Sequence, residues 1–241
     1  PKGATQLILE QLPWTLGYFT SSMLIAWGLG TLIGAILGWL RKHNLSSIAV
    51  VIATFMQTIP VYILAIAAII FLAYNLKLLP AGQPYDPGLE ESWRDIGFIK
   101  NILRHAILPV SSMVLVWGAG YLMGMRALMI SVLGEDYLTY AKAKGLKPST
   151  ILGQYAFRNA LLPQVTTLGI ALGSTLNGAL IIEAIFMLPG LGGLFVRAQG
   201  IRDFNTMQGI VLISTVAVLT LSLIVDLILP LLDPRIRSSN A

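Results

Sequence analysis

Three ionisable side chains, Arg126, Glu183 and Asp226, fall within or against long apolar runs, and one long polar stretch, Gly134 to Pro163, separates two such runs. A charge at the centre of a bilayer costs about 2.5 to 3.5 kcal/mol on insertion scales, so each of the three invites a functional role. Position argues the other way. Arg126 leads straight into the polar stretch, and Glu183 and Asp226 stand within about two turns of the end of a run, where snorkelling or pairing relieves the cost. A structural role therefore competes with a functional one at each. Gln164, Ser174 and Asn177 join Glu183 as candidates for lining a path, and small polar groups of this kind serve equally as hydrogen-bond partners between helices.

Catalytic chemistry finds no purchase in this chain. There is no G-x-x-x-x-G-K-[ST] phosphate loop, and the glycine-rich piece Pro189 to Gly193 is followed by Leu194, with no lysine to reach a phosphate. No His-Glu-x-x-His and no Ser/His/Asp set at usable spacing occurs, and His43 and His105 lie far apart. The absence of cysteine excludes disulfides, thiol nucleophiles and cysteine-ligated metal. The sequence is that of a non-catalytic protein with no metal cluster and no cofactor of its own.

The elements that hold these residues follow from composition. Of 241 residues 56% are hydrophobic and 11% charged, against about 25% charged in a soluble globule. Five stretches reach roughly the 20 residues needed to cross the hydrocarbon: Leu12 to Leu40, Ile48 to Leu76, Ala106 to Met125, Leu161 to Phe186 and Gln208 to Leu232. None shows the period-two alternation of outer-membrane strands, so an all-α, polytopic transmembrane helix bundle is expected. No linker divides the chain, and 1–241 reads as a single membrane domain. The start, PKGATQLILE, has neither an initiator methionine nor a signal-peptide core, which suggests a chain that begins after something removed or not included.

Glycines within the runs (Gly28, Gly30, Gly34 and Gly38; Gly169, Gly173 and Gly178) read first as sites of close helix packing, with a glycine-lined path or hinge as the alternative. If the polar stretch is cytoplasmic, Lys and Arg divide nine inside to seven outside, a weak positive-inside bias. The acidic, turn-rich piece Gly82 to Asp95 with Trp93 then suits the outer surface. The net charge of +5 reports cytoplasmic anchoring beside membrane lipid, and nucleic acid is not a partner.

Within the polar stretch, Glu135 to Lys144 predicts a short helix, acidic in its first turn and basic near its end, which complements the helix dipole. Gly145 is placed to take positive φ just beyond it, and Lys147-Pro148-Ser149 permits a new helix start. The result is a helix, a tight turn and a second helix running to Pro163. Ala141 and Ala143, with Tyr137, Leu138 and Tyr140, offer small and aromatic surface suited to a groove on another protein. A solvated basic loop near lipid headgroups is the other reading.

This stretch resembles the "EAA" loop of bacterial ABC-transporter permeases, in the form found in the oligopeptide, dipeptide, nickel and oligosaccharide importers. Thr139, Tyr140 and Ala141 stand where the general E-A-A triplet precedes its glycine, so the acidic position is lost. The acids stand instead at Glu135 and Asp136, and Leu162-Pro163 falls 18 residues after Gly145 at its proline, as in the oligopeptide-type branch. Further along, Glu183 and Phe186 with Leu188-Pro189-Gly190-Leu191-Gly192 resemble the family's E-x-x-F-x-x-P-G-L-G. Arg202-Asp203-Phe204 with Gln208-Gly209, and Asp226 with Leu232-Asp233-Pro234-Arg235-Ile236-Arg237, resemble its later motifs.

The resemblance implies a permease subunit of an ATP-driven importer in the bacterial or archaeal inner membrane. Such a subunit pairs with a second permease, two cytoplasmic ATPase subunits carrying ATP and Mg, and an extracytoplasmic substrate-binding protein. It implies that 134–163 is the coupling loop, with Glu135, Asp136, Tyr140, Ala141, Ala143, Lys144, Gly145 and Leu146 meeting the ATPase. It also implies six spans, one more than the five counted. Cargo would be peptides or oligosaccharides, with nickel a lesser expectation. A stand-alone ion-coupled transporter is the alternative; an inverted repeat of that kind fits poorly with an odd span count. A membrane scaffold without a path is the third reading.

Overall fold

The computed structural model describes residues 3–89, 91–174 and 176–232, and every regular element among them is helical. Helix α1 (Ala4–Trp39) and helix α4 (Ile96–Val132) are the long members, 36 and 37 residues. At 1.5 Å per residue each runs to about 54 Å, well beyond the hydrocarbon thickness. Between them come α2 (Asn44–Thr58), α3 (Val61–Ala68) and a π-helical continuation, Ile69–Asn75. After α4 follow α5 (Asp136–Ala143), α6 (Pro148–Thr150), a second π-helical segment (Ile151–Phe157) and α7 (Arg158–Ser174). Helices α8 (Leu176–Ile185), α9 (Leu191–Gly200) and α10 (Phe204–Leu232) close the described chain.

The five apolar stretches all lie on helices, in three different forms. Three of them are carried by single helices long and apolar enough to cross a membrane, α1, α4 and α10. The second stretch is bent by 97° between Thr58 and Val61. Pro60 accounts for the break: it lacks an N–H, its φ/ψ of −56° and 131° is extended, and its ring pushes the preceding residue away from helical geometry. The fourth stretch is divided between α7 and α8, of 17 and 10 residues.

The residues gather into two compact units. Among the described residues, one comprises 3–22, 59–114 and 172–221; the other comprises 23–58, 115–171 and 222–232. The core of the first includes Ile8, Leu191, Leu194 and Ile210. Trp14, Tyr18, Trp93, Phe98 and Tyr85 form a chain of ring contacts in the same unit, with centroids 5.2 to 6.1 Å apart. Asp86 and Asn101 are tied by two hydrogen bonds, and the buried His105 lies 3.4 Å from the Asp86 carboxylate.

In the second unit α1 and α4 approach through glycine. A methyl group at Gly30 would lie 2.5 Å from the Gly118 carbonyl oxygen, one at Gly34 2.4 Å from that of Leu122, and one at Gly38 2.5 Å from the Met129 Cβ. Glycines four apart on α1 thus meet α4 at successive turns, the close-packing expectation for these three. Gly28 has nothing within 4 Å of such a group. Exposed apolar side chains cover the outer faces, including Leu29, Leu32 and Ile36 on α1, Ile48, Ile52 and Phe55 on α2, and Val211, Leu219 and Leu223 on α10. Lipid in place of water makes such a surface stable.

Candidate coupling loop and buried polar anchors

The second unit presents the polar stretch as a finished structural piece. Helix α5 is followed by Lys144 and then Gly145 at φ +73°. The Gly145 N–H donates to Lys142 O at 2.9 Å and the Leu146 N–H to Ala141 O at 3.3 Å. This pair of bonds is the Schellman motif, which satisfies carbonyls that would otherwise end the helix unpaired. Lys147 is extended and Pro148 sits in the first turn of the next helix, where its missing N–H costs nothing.

Leu138 and Ala141, three residues apart on one face of α5, are 1% and 4% exposed. They pack in a cluster with Met129, Leu133, Ile151, Ala156 and Ala160, and Leu146 lies against it. This corrects the expectation that both belong to a surface knob. An eight-residue, mostly polar helix has only one small apolar face, and α5 spends it on anchoring to its own chain. The outward face retains Glu135, Asp136, Tyr137, Ala143, Lys144 and Gly145, with Tyr140 71% exposed. Asn159 Nδ2 donates to the Tyr137 hydroxyl at 3.1 Å and to Tyr155 O at 2.6 Å, bracing the helix from the start of α7.

The intramembrane polar residues resolve into anchors. Arg126 Nε donates to Ser46 Oγ at 3.1 Å, and that hydroxyl donates to Leu37 O at 2.9 Å. Gln164 is 2% exposed and joins three helices: its Nε2 donates to Tyr121 O at 3.0 Å and Thr31 Oγ1 at 3.3 Å, while its backbone carbonyl accepts the Trp27 indole N–H at 3.1 Å.

In the first unit, Glu183 is 1% exposed, and its Oε2 accepts the Gly192 N–H at 2.8 Å. The neighbouring Leu191 N–H donates to Thr15 Oγ1 at 2.9 Å. Helix α9 begins at Gly190, which has no side chain to cap it. Its free first-turn N–H groups are therefore satisfied by side chains from α1 and α8, and the carboxylate stands where the helix dipole favours negative charge. Glycine is required on the approach: a methyl group at Gly190 would lie 2.2 Å from Glu183 Oε2, and one at Gly192 1.9 Å from Leu180 O.

Gln164 and Glu183 thus belong to different units, each buried in its own. The backbones of Ser174 and Asn177 fall at the end of α7 and the start of α8, but their side chains, and that of Asp226, lie outside the described ones. The closing motif from Asp233 onward is outside the described residues as well. Thr15, Trp27 and Ser46 carry these anchors and had no signal in the sequence, because their partners lie 9 to 176 residues away.

The described residues thus form a polytopic helical membrane protein with a capped helix–turn–helix set between long apolar helices. The chain is a member of the family of binding-protein-dependent transport system inner membrane components, whose family model matches residues 30–238. It is 36% identical to a dipeptide transport system permease of Bacillus subtilis over 98% of this chain and 72% of that protein. It is 32% identical to an oligopeptide transport system permease of the same organism, over 97% of this chain and 72% of that one. A probable D,D-dipeptide transport system permease of Escherichia coli is 30% identical, over 95% and 72%. The chain is therefore an ABC-type permease component, a multi-pass protein of the inner membrane.

Proposed function

We propose that this chain is one of two membrane-spanning subunits of an ATP-driven importer of dipeptides or oligopeptides. It would pair with a second, different permease, receive substrate from an extracytoplasmic binding protein, and be driven by two cytoplasmic ATPase subunits that hold ATP and Mg. The peptide reading rests on the names of the relatives above, which favour peptides over oligosaccharides or nickel. The observation that carries the coupling reading is α5 itself. One face is locked to the chain by Leu138 and Ala141, and the other is free, with a Schellman turn holding Gly145 and Leu146 in register. Such a piece transmits displacement as a lever, because neither its end nor its base yields. Glu135, Asp136, Tyr140, Ala143, Lys144 and Gly145 would contact the ATPase; Ala141 and Leu146 would position them.

The test is retention of the cognate ATPases in detergent by the full-length permease, co-expressed with its companion. Wild type and Lys77→Gln should retain them; Tyr140→Ala and Ala143→Glu should shed them with unchanged thermal stability. Retention by both loop variants, or no binding by wild type, overturns the coupling reading. Uptake of labelled dipeptide by the complete system checks the cargo.

A further inference from the structure

Where α1 ends, the second unit forms a concave site of about 440 Å³ lined by Trp39, Arg41, Lys42, His43, Leu133 and Lys142. Three formal cations converge there from two separate segments, the turn that follows α1 and helix α5. No acidic side chain lines it, and none of Arg41, Lys42 or Lys142 has a charged partner among the described residues. His43 Nδ1 accepts the Leu45 N–H at 3.1 Å, so a neutral ring carries its hydrogen on Nε2, as a further donor. Such a set recognises a phosphate oxygen cluster.

The apolar surroundings distinguish the source of the phosphate. On α1, Leu29, Leu32, Ile33 and Ile36 are exposed, with pairs at spacings of three and four, and the exposed Leu40 just beyond the helix carries the stripe to Arg41. On α2, Ile48, Ile52 and Phe55 continue exposed apolar surface beyond His43. Trp39 stands at the junction, the depth at which tryptophan marks a membrane interface. Cations at one end and hydrocarbon-facing stripes leading from it match the two parts of one molecule.

We propose that this site binds an anionic phospholipid, its phosphodiester headgroup held by Arg41, Lys42, His43 and Lys142 and its acyl chains laid on the α1 and α2 stripes. Lys142 lies in the last turn of α5, so the lipid braces the same short helix at its capped end. Basic pockets of this composition at the cytoplasmic ends of membrane helices are suited to such headgroups. The assignment is independent of cargo and of ATPase docking.

The experiment measures lipid selectivity of the full-length permease in phosphatidylcholine vesicles, comparing spin-labelled phosphatidylglycerol with spin-labelled phosphatidylcholine at the protein surface. Wild type and Lys147→Gln, which alters an exposed loop lysine outside the site, should prefer phosphatidylglycerol. The double variant Lys42→Gln with Lys142→Gln should lower the preference by about 25-fold, given about fivefold per surface cation. Both lysines are exposed, so the variants should fold. Excess inorganic phosphate should leave the preference intact. No preference in wild type, an unchanged preference in the double variant, or displacement by inorganic phosphate would each overturn the assignment, the last in favour of a soluble anion.

Discussion

Replacing Gly34 by alanine tests the helix contact at the centre of the second unit. The added methyl carbon would lie 2.4 Å from the Leu122 carbonyl oxygen, 3.0 Å from Met125 Cβ and 3.1 Å from Leu122 C. The closest ordinary carbon–oxygen approach is about 3.3 Å, so α1 and α4 must part locally by about 0.9 Å. Both neighbours are backbone or Cβ atoms, which no rotamer change can move. Forcing a methyl into a packed contact costs about 1 to 3 kcal/mol. Alanine also gains about 1 kcal/mol over glycine in a helix, which obscures a single variant. Gly28→Ala supplies the reference, because it makes the same exchange on the same helix with nothing within 4 Å of the new atom. The propensity gain cancels in the comparison, and Gly34→Ala should be less stable than Gly28→Ala by about 1 to 3 kcal/mol. Thermal unfolding of the purified full-length protein in one detergent, followed by fluorescence, reads the difference. Equal stability, or a more stable Gly34→Ala, would refute the reasoning that glycine is present for close approach.

Gly145→Ala should destabilise the loop by about 1 kcal/mol through its positive φ while Gly145→Asn costs less, since the space around the position is open; hydrogen exchange at the Leu146 amide should report the difference. Glu183→Ala leaves the buried Gly192 N–H without its acceptor and should cost about 1 to 3 kcal/mol, whereas Glu183→Gln keeps an acceptor there and should be milder in the same melt. Hydrogen bonds from the Thr206 hydroxyl and N–H hold the Asp203 carboxyl below the usual aspartate range at the start of α10. A depressed carboxyl stabilises the fold above its unfolded pKa and loses that contribution as pH falls through the folded one. Asp203→Asn should therefore flatten the acid limb of stability against pH; an unaltered limb would exclude Asp203 as its source.

Local features were legible and tertiary ones were not. Gly145, Pro148 and the acidic start of α5 announce themselves because a cap and a turn are satisfied within a few residues. Pro60 carried an equally local signal, and the apolar run around it masked the bend. The inward turn of Ala141 follows from helical period only once Leu138 is known to be buried. Gln164 and Glu183 were singled out as polar residues in apolar runs, but their partners, Tyr121, Thr31 and Gly192, depend on which helices pack together. Thr15, one of several hydroxyls in a long apolar helix, gave no sign that it would cap a helix 176 residues further on.

That last arrangement sets an order of assembly. Helix α9 has ten residues, LGGLFVRAQG, three of them glycine, and is too short and too glycine-rich to persist alone. The groups that close its first turn belong to α1 and α8, so its backbone is at peace only after those two helices have met. During biogenesis this segment must remain unwound while the earlier helices insert, then wind when they dock. Protease access or hydrogen exchange at 191–194 would therefore time that step, distinguishing chains that have merely entered the membrane from those that have folded.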